Sequence, residues 1–171
     1  IDDVGDVFAD KALANQVGRR GESEQIIAGC VGESDADLAR KWRAVRILDC
    51  GCGTGHNLEL LRKFGDAVGI DLTWTGLAFA RSRGERAIAR ATAANLPFSA
   101  AIFDVVTSFD VIYALDDATE AAALREMFRV LRPGGYLVIN VAAMDLLKGN
   151  HSVLANEIRR YSRATLADRL V

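Results

Sequence analysis

The stretch that most constrains the fold is an apolar run that ends in an acid and continues into three glycines at alternate positions. Residues 45–49 form the run, and Gly51, Gly53 and Gly55 follow it before a helical pattern begins. A buried strand, a tight turn and a helix N-terminus in this order are typical of an α/β sheet that holds a nucleotide-like ligand. Glycine permits positive φ angles and a close approach of the backbone to a ligand. We therefore expect Asp49 to face the ligand crevice, with a charge suited to a cation.

The spacing of these glycines separates two families of nucleotide-binding loops. A dinucleotide fingerprint reads G-x-G-x-x-G, but here the third glycine comes one residue early and His56 takes its place. A P-loop is excluded because no G-K-[ST] follows. The run D-x-G-x-G-x-G resembles the first motif of class I S-adenosylmethionine-dependent methyltransferases. The resemblance implies S-adenosylmethionine as cofactor, with Asp49 near its ammonium group and the backbone of residues 51–55, including Cys52, along its methionine part. A glycine-rich turn without a ligand is the alternative for the motif taken alone.

A second apolar strand, residues 67–71, also ends in an acid. Asp71 lies 22 residues after Asp49, where a carboxylate can accept hydrogen bonds from both ribose hydroxyls of a nucleoside. The resemblance implies this ribose role for Asp71 and places Leu72 against the adenine. The alternative for Asp71 is the N-cap of the helix that follows.

Residues 86–91 are expected to form a third strand at the edge of the sheet, followed by a loop to the next helix. In the resembling family an acid commonly precedes the Leu-Pro-Phe of this loop by four residues and binds the adenine amino group. This chain has Thr92 there, and a hydroxyl accepts that hydrogen bond more weakly than a carboxylate. Ala93 would offer its backbone N–H to an adenine ring nitrogen.

The fourth strand, residues 103–109, is expected beside the first, where the strand order reverses and ligands bind. Phe109 and Tyr113 would then lie near the reactive methyl group, and an aromatic face favours a sulfonium cation. Packing above the sheet is an equally good explanation for both rings. Tyr113 and His151 are candidates for a catalytic role. His151 qualifies because its side chain titrates near neutrality, and a surface or structural histidine is the alternative.

Residues 117–131 form the clearest amphipathic helix, with Pro133, Gly134 and Gly135 as a turn before a fifth strand at 136–141. This run and the later Arg159-Arg160-Tyr161 also resemble segments of the methyltransferase family. The two arginines would pair with an acidic acceptor or with acids of this protein. Before the core, residues 1–44 are predicted to be helical, with one helix beginning at Ser23.

Composition narrows the functional classes. With 171 residues, half of them apolar and a net charge of -2, the chain suits one globular domain without broad attraction to nucleic acid or membranes. Cys30, Cys50 and Cys52 lack the companion ligands of a zinc site, so we expect no metal and buried thiols in a cytoplasmic protein.

The sequence therefore predicts a doubly wound, mainly parallel sheet of strand order 3-2-1-4-5 with helices on both faces. A single domain, 1–171, would comprise an N-terminal helical cap (1–44), a cofactor-binding core (45–141) and an acceptor-side segment (142–171). The family's final antiparallel strand pair is expected to be missing, since the chain stops at Val171. The implied activity is methyl transfer from S-adenosylmethionine to a small-molecule acceptor. The alternatives are an adenosyl-ligand-binding module without activity and, less favoured by the glycines, a dinucleotide-dependent oxidoreductase.

Overall fold

The computed structural model describes residues 23–25, 45–143 and 157–170. The predicted helices of residues 1–22 and 26–44 and the candidate residue His151 lie outside these ranges. The strands are β1 (Ser23–Gln25), β2 (Arg46–Cys50), β3 (Asp66–Asp71), β4 (Ile88–Arg90), β5 (Phe103–Phe109) and β6 (Leu131–Ala142). The helices are α1 (His56–Leu61), α2 (Trp74–Ser82), α3 (Asp117–Val130) and α4 (Arg163–Leu170), with a 3-10 turn at Ile112–Ala114. No helix within the described ranges is long and apolar enough to cross a membrane.

Six strands of the described residues form one sheet in the order β1-β6-β5-β2-β3-β4. Strands β2 to β6 run parallel to one another. Counted from the first parallel strand, their order is 3-2-1-4-5, as predicted, and β4 is the expected edge strand. The order reverses between β2 and β5, so the carboxyl ends of these strands flank the crevice in which such sheets bind ligands.

The segment that begins at Ser23 was predicted to be helical, and this prediction is wrong for Ser23–Gln25. These residues form β1, which pairs antiparallel with residues 140–142 of β6. The outer edge of β6 carries backbone N–H and C=O groups that need partners, and this long-range pairing outweighs a local helical preference. An antiparallel strand therefore does border the fifth parallel strand, but it comes from the N-terminal side of the core.

The core lies in two layers because successive side chains of a strand point to opposite faces of the sheet. Leu48, with 0% of its surface exposed, packs on the face covered by α3 and α4, with Met127 and Leu166. Ile47, the preceding residue, packs on the opposite face with Leu58 of α1 and Leu77 of α2. Helices therefore cover both faces of the sheet.

The Pro133 to Gly135 turn lies inside β6 rather than before it. Phe103 of β5 pairs with Leu131, but Val105 pairs with Tyr136, so the intervening residues of β6 bulge out of the ladder. Proline has no N–H to donate to a ladder, and Gly134 has a φ of 74° that suits glycine. The bulge turns the chain directly from α3 into the fifth parallel strand.

Candidate functional site

Two carboxylates lie at the carboxyl ends of neighbouring strands and point to the same face of the sheet. Asp49 of β2 pairs in register with Gly69 of β3, and Asp71 lies two residues after Gly69. Because side chains alternate along a strand, Asp49 and Asp71 share the face that α1 and α2 cover. Thr107 of β5 is the cross-strand partner of Asp49 and shares this face. The topology thus brings together the two acids that the sequence singled out.

Asp49 is a buried carboxylate with one unused oxygen. Its side chain is 1% exposed, and Oδ1 accepts a hydrogen bond of 2.7 Å from the Thr107 hydroxyl. Its Oδ2 is buried and has no hydrogen-bond partner. Burial raises the pKa of Asp49 to about 6, the Thr107 hydrogen bond opposes this rise, and the charge of Asp71 adds to it. Among the described side chains no Lys, Arg or His forms an ion pair with Asp49, so the carboxylate has no counter-charge among them.

Asp71 is half-buried and its oxygens are already engaged. Its Oδ2 accepts a hydrogen bond from the Gly53 N–H at 2.8 Å, and its Oδ1 accepts from the Thr73 N–H at 2.7 Å and the Thr73 hydroxyl at 2.5 Å. The N-cap of α2 is Thr73, not Asp71. Instead of capping the helix, Asp71 ties the glycine loop to the start of α2.

The glycine loop needs its glycines for different reasons. At Gly51, with a φ of 88°, an added Cβ would lie 2.2 Å from Cγ2 of Val111, so packing excludes a side chain. At Gly53, with a φ of 50°, no atom lies within 4 Å of the added Cβ, so this position faces open space. Gly55 is the N-cap of α1. The bare backbone at Gly53, beside Asp71, is the part of the loop that a ligand can approach.

Cys50 and Cys52 are free, buried thiols, as predicted, while Cys30 lies outside the described residues. Burial, with the charges of Asp49 and Asp71, raises the pKa of Cys52 to about 12. The thiol is therefore protonated at neutral pH and unsuited to nucleophilic chemistry. Among the described side chains no group of three His, Cys, Asp or Glu could hold a metal ion.

The predicted adenine side lies at the ends of β3 and β4. Leu72 is 60% exposed and open to contact. The Thr92 hydroxyl accepts a hydrogen bond of 3.3 Å from the Ala94 N–H, so it supports a local turn in which Ala93 lies. Thr92 also pairs with Asn95 as an isolated bridge. These contacts fix the conformation of the loop beside Leu72.

Sequence reasoning missed the pair that fixes this loop, Glu126 and Arg129 of α3. Glu126 accepts a hydrogen bond from the Leu96 N–H at 2.7 Å, and Arg129 donates to the carbonyl oxygens of Leu96 and Phe98 at 3.1 and 2.8 Å. Their ion pair, led by the Arg129 hydrogen bond, lowers the pKa of Glu126 to about 2. The sequence placed both residues only within the amphipathic helix predicted at 117–131. The signal available in the sequence was the i, i+3 spacing of an acidic and a basic residue, which indicates an ion pair on the helix.

Phe109, Tyr113 and Asn140 lie where β5 and β6 end. Phe109 pairs in register with Asn140, and by strand alternation both share the face of Asp49 and Thr107. Asn140 is buried and its Oδ1 has no hydrogen-bond partner, a feature the sequence analysis did not single out. Burial raises the pKa of Tyr113, and the charges of Asp110 and Glu157 add to this effect. The Tyr113 hydroxyl is therefore a hydrogen-bond donor at neutral pH, not a base.

The arginines of the C-terminal segment pair with acids of this protein, which settles a question the sequence left open. Arg159 forms ion pairs with Asp117 and with the fully buried Glu120 of α3. Arg160 pairs with Glu157 at 3.1 Å. The N–H groups of residues 158 and 159 donate to the Tyr113 carbonyl oxygen, so these hydrogen bonds hold the C-terminal segment against Tyr113.

Comparisons with known proteins agree with this geometry. The model of the family described as "Methyltransferase domain" matches residues 48–139, more than half of the chain. A probable S-adenosylmethionine-dependent methyltransferase of Mycolicibacterium smegmatis is 36% identical over 105 residues, which cover 60% of this chain and 40% of that protein. The human protein named probable tRNA methyltransferase 9B is 39% identical over 100 residues, which cover 58% of this chain and 22% of that protein. The chain thus matches less than half the length of these relatives.

A solved structure carries the same fold with a ligand bound. It is an amino pentose methyltransferase from Micromonospora echinaspora, described with S-adenosylmethionine bound. It is 34% identical, with a TM-score of 0.53, and the match covers 61% of this chain and 48% of that one.

Proposed function

The chain belongs to the family of class I S-adenosylmethionine-dependent methyltransferases, whose cofactor is S-adenosylmethionine, and we propose that it transfers the methyl group to a small-molecule acceptor. The observation that carries the proposal is the buried Oδ2 of Asp49, which has no partner at the point where the family motif places a ligand cation. A buried carboxylate without a counter-charge is costly, and an ammonium group would relieve that cost.

The residues around Asp49 fit the rest of the cofactor. Asp71 would receive the ribose hydroxyls, since it lies on the same face one strand away. The backbone of residues 51–55, including Cys52, would line the methionine part, and Gly53 offers the open approach. Leu72 would pack on the adenine, with Thr92 and the Ala93 N–H at its polar edge. Of these groups, Leu72 is exposed and Gly53 faces open space, so both can be reached from the crevice.

The sulfonium of the cofactor supplies an already activated methyl group. The protein's own task is to hold the acceptor in line with it and to exclude water. Phe109 would place an aromatic face near the positive charge. Tyr113 would donate a hydrogen bond to the acceptor, and the Asn140 Oδ1 would accept one from it. Since the Tyr113 hydroxyl stays protonated, the arrangement favours an acceptor atom with a lone pair already free.

The acceptor is proposed to be a small molecule rather than a nucleic acid or a membrane component. The net charge of -2 gives no general attraction for phosphate polymers. The relatives named above include both a probable tRNA methyltransferase and an amino pentose methyltransferase, so family membership alone does not select the acceptor. We further propose that residues 1–171 act as one domain of a cytoplasmic protein, with 1–44 as an N-terminal cap and 142–171 as an acceptor-side segment.

Calorimetry tests the cofactor part of the proposal. We expect S-adenosylhomocysteine to bind the protein and NAD to give no heat of binding. Binding of NAD without binding of S-adenosylhomocysteine would overturn the proposal in favour of a dinucleotide-dependent enzyme.

A transfer assay with radiolabelled methyl donor tests the acceptor part. The panel would contain small amines, hydroxylated and carboxylic metabolites, and bulk tRNA. Label on a small molecule supports the proposal, and label on tRNA alone contradicts the acceptor class. Cofactor binding with no transfer to any acceptor would support the alternative of an adenosyl-ligand-binding module.

A further inference from the structure

Thr73 is the N-cap residue of α2, yet its side chain does not cap the helix. A threonine at this position ordinarily accepts a hydrogen bond from an N–H of the first helical turn. Here the hydroxyl turns away and donates to Oδ1 of Asp71 at 2.5 Å. The unusual orientation places a donor on the carboxylate that is proposed to bind ribose.

Counting acceptor positions shows that this hydroxyl competes with the ribose. Each carboxylate oxygen accepts about two hydrogen bonds. Oδ1 of Asp71 already accepts two, from the Thr73 N–H and the Thr73 hydroxyl, and Oδ2 accepts one from the Gly53 N–H. A single position is left, whereas a ribose brings two hydroxyls.

Of the three donors on Asp71, only the Thr73 hydroxyl can leave without moving the backbone. The other two are main-chain N–H groups of the glycine loop and of the start of α2. Thr73 is exposed, so its hydroxyl can exchange to water. Gly76 leaves room beside it, because a Cβ at residue 76 would lie 2.8 Å from the Thr73 Oγ1.

We propose that the Thr73 hydroxyl occupies a ribose position on Asp71 in the free protein and is displaced by one ribose hydroxyl when the adenosyl ligand binds. Thr73 then lowers the affinity for the cofactor, compared with a protein in which Asp71 lacks this hydroxyl donor. The inference rests on the proposed function, since it takes the ribose role of Asp71 as its premise.

Calorimetry of Thr73→Val with S-adenosylhomocysteine tests the inference. Removing the hydroxyl frees Oδ1, so we expect binding about threefold to tenfold tighter than in the unmodified protein. Thr73→Ser keeps the hydroxyl and should bind within about twofold of the unmodified protein. Thr73→Ala provides a second hydroxyl-free variant should valine disturb the start of α2, and thermal melting of each variant reports folding.

The 2′-deoxy and 3′-deoxy forms of S-adenosylhomocysteine sharpen the test. The gain from Thr73→Val should disappear with the one analogue that lacks the displacing hydroxyl and persist with the other. Equal or weaker binding by both hydroxyl-free variants, or the same gain with both analogues, would overturn the inference. If the unmodified protein fails to bind S-adenosylhomocysteine at all, the proposed function fails with it, so the two failures are distinguishable.

Discussion

Asp49 and Asp71 are the same residue type at the tips of adjacent strands, yet the protein gives their carboxylates opposite environments. Asp49 is buried, has one hydroxyl donor and keeps an oxygen without a partner. Asp71 is half-buried and accepts three hydrogen bonds from the glycine loop and Thr73. The Asp49 carboxylate has no counter-charge among the described side chains. The Asp71 carboxylate lies in a hydrogen-bond network in which one donor, the Thr73 hydroxyl, can exchange.

The two environments suit different ends of an adenosyl amino acid. A buried charge is relieved only by an opposite charge, whereas a carboxylate surrounded by donors can replace one neutral donor by another at little cost. We therefore propose that the ammonium group binds at Asp49 and the ribose at Asp71. If substitutions at Asp49 and Asp71 have the same effects on stability and ligand affinity, this assignment is wrong.

The largest expected effect is on stability, from Asp49→Asn. The pKa of Asp49 is raised in the folded protein from its usual 3.8 to about 6. The stability that this group contributes is therefore fully present below pH 3.8 and is lost as pH rises through 6. Asp49→Asn carries no titrating carboxyl group at this position, so its stability does not fall in this way. The free energy of unfolding of Asp49→Asn minus that of the unmodified protein should therefore increase by up to about 3 kcal/mol between pH 4 and pH 8.

Urea unfolding of both proteins across this pH range measures the effect. Asp66→Asn is the matched control, because Asp66 is exposed at the opposite end of β3. A constant difference between Asp49→Asn and the unmodified protein at all pH values would show that Asp49 carries no uncompensated charge.

The next effect is on ligand affinity. Asp49→Asn should weaken binding of S-adenosylhomocysteine about a hundredfold, because it removes the partner of a buried ammonium. Binding of 5′-methylthioadenosine, which lacks the amino acid part, should change by less than about twofold. Calorimetry with the two ligands separates the charge from the rest of the site. An equal loss of affinity for both ligands would contradict the pairing of Asp49 with the ammonium group.

The smallest effect is expected at Asp71. Asp71→Ala should weaken S-adenosylhomocysteine and 5′-methylthioadenosine equally, by at least about tenfold, because both ligands carry the ribose. The same calorimetry checks it, with Asp66→Asn again as control. Unchanged affinity for either ligand would count against the ribose role.

The sequence was sufficient to predict β2 and β3 because each is an apolar run with an acid at or next to its carboxyl end. Residues 103–109 were predicted as β5 at their observed bounds. The long-range pairings were not predictable in this way. Ser23–Gln25 becomes a strand only because β6 offers an open edge, and the bulge at Pro133 to Gly135 depends on the register of β5.

The same limit applies to the candidate site. Their positions at the ends of two successive apolar strands were enough to expect Asp49 and Asp71 at one crevice, but not to show that one is unpaired and the other engaged. That difference depends on Thr107 and Thr73, and Thr107 lies 58 residues from its partner. Likewise, Glu126 and Arg129 act on a loop about thirty residues away, a contact that helical periodicity does not report.

The measurement that most directly tests the assignment of Asp49 is the titration of its carboxyl carbon by NMR, with and without S-adenosylhomocysteine. In the free protein the pKa of Asp49 should be about 6, because burial disfavours the charge. In the complex it should fall below 4, because a buried ammonium favours the charged form. A pKa that stays near 6 in the complex would contradict the pairing of Asp49 with the ligand's ammonium group.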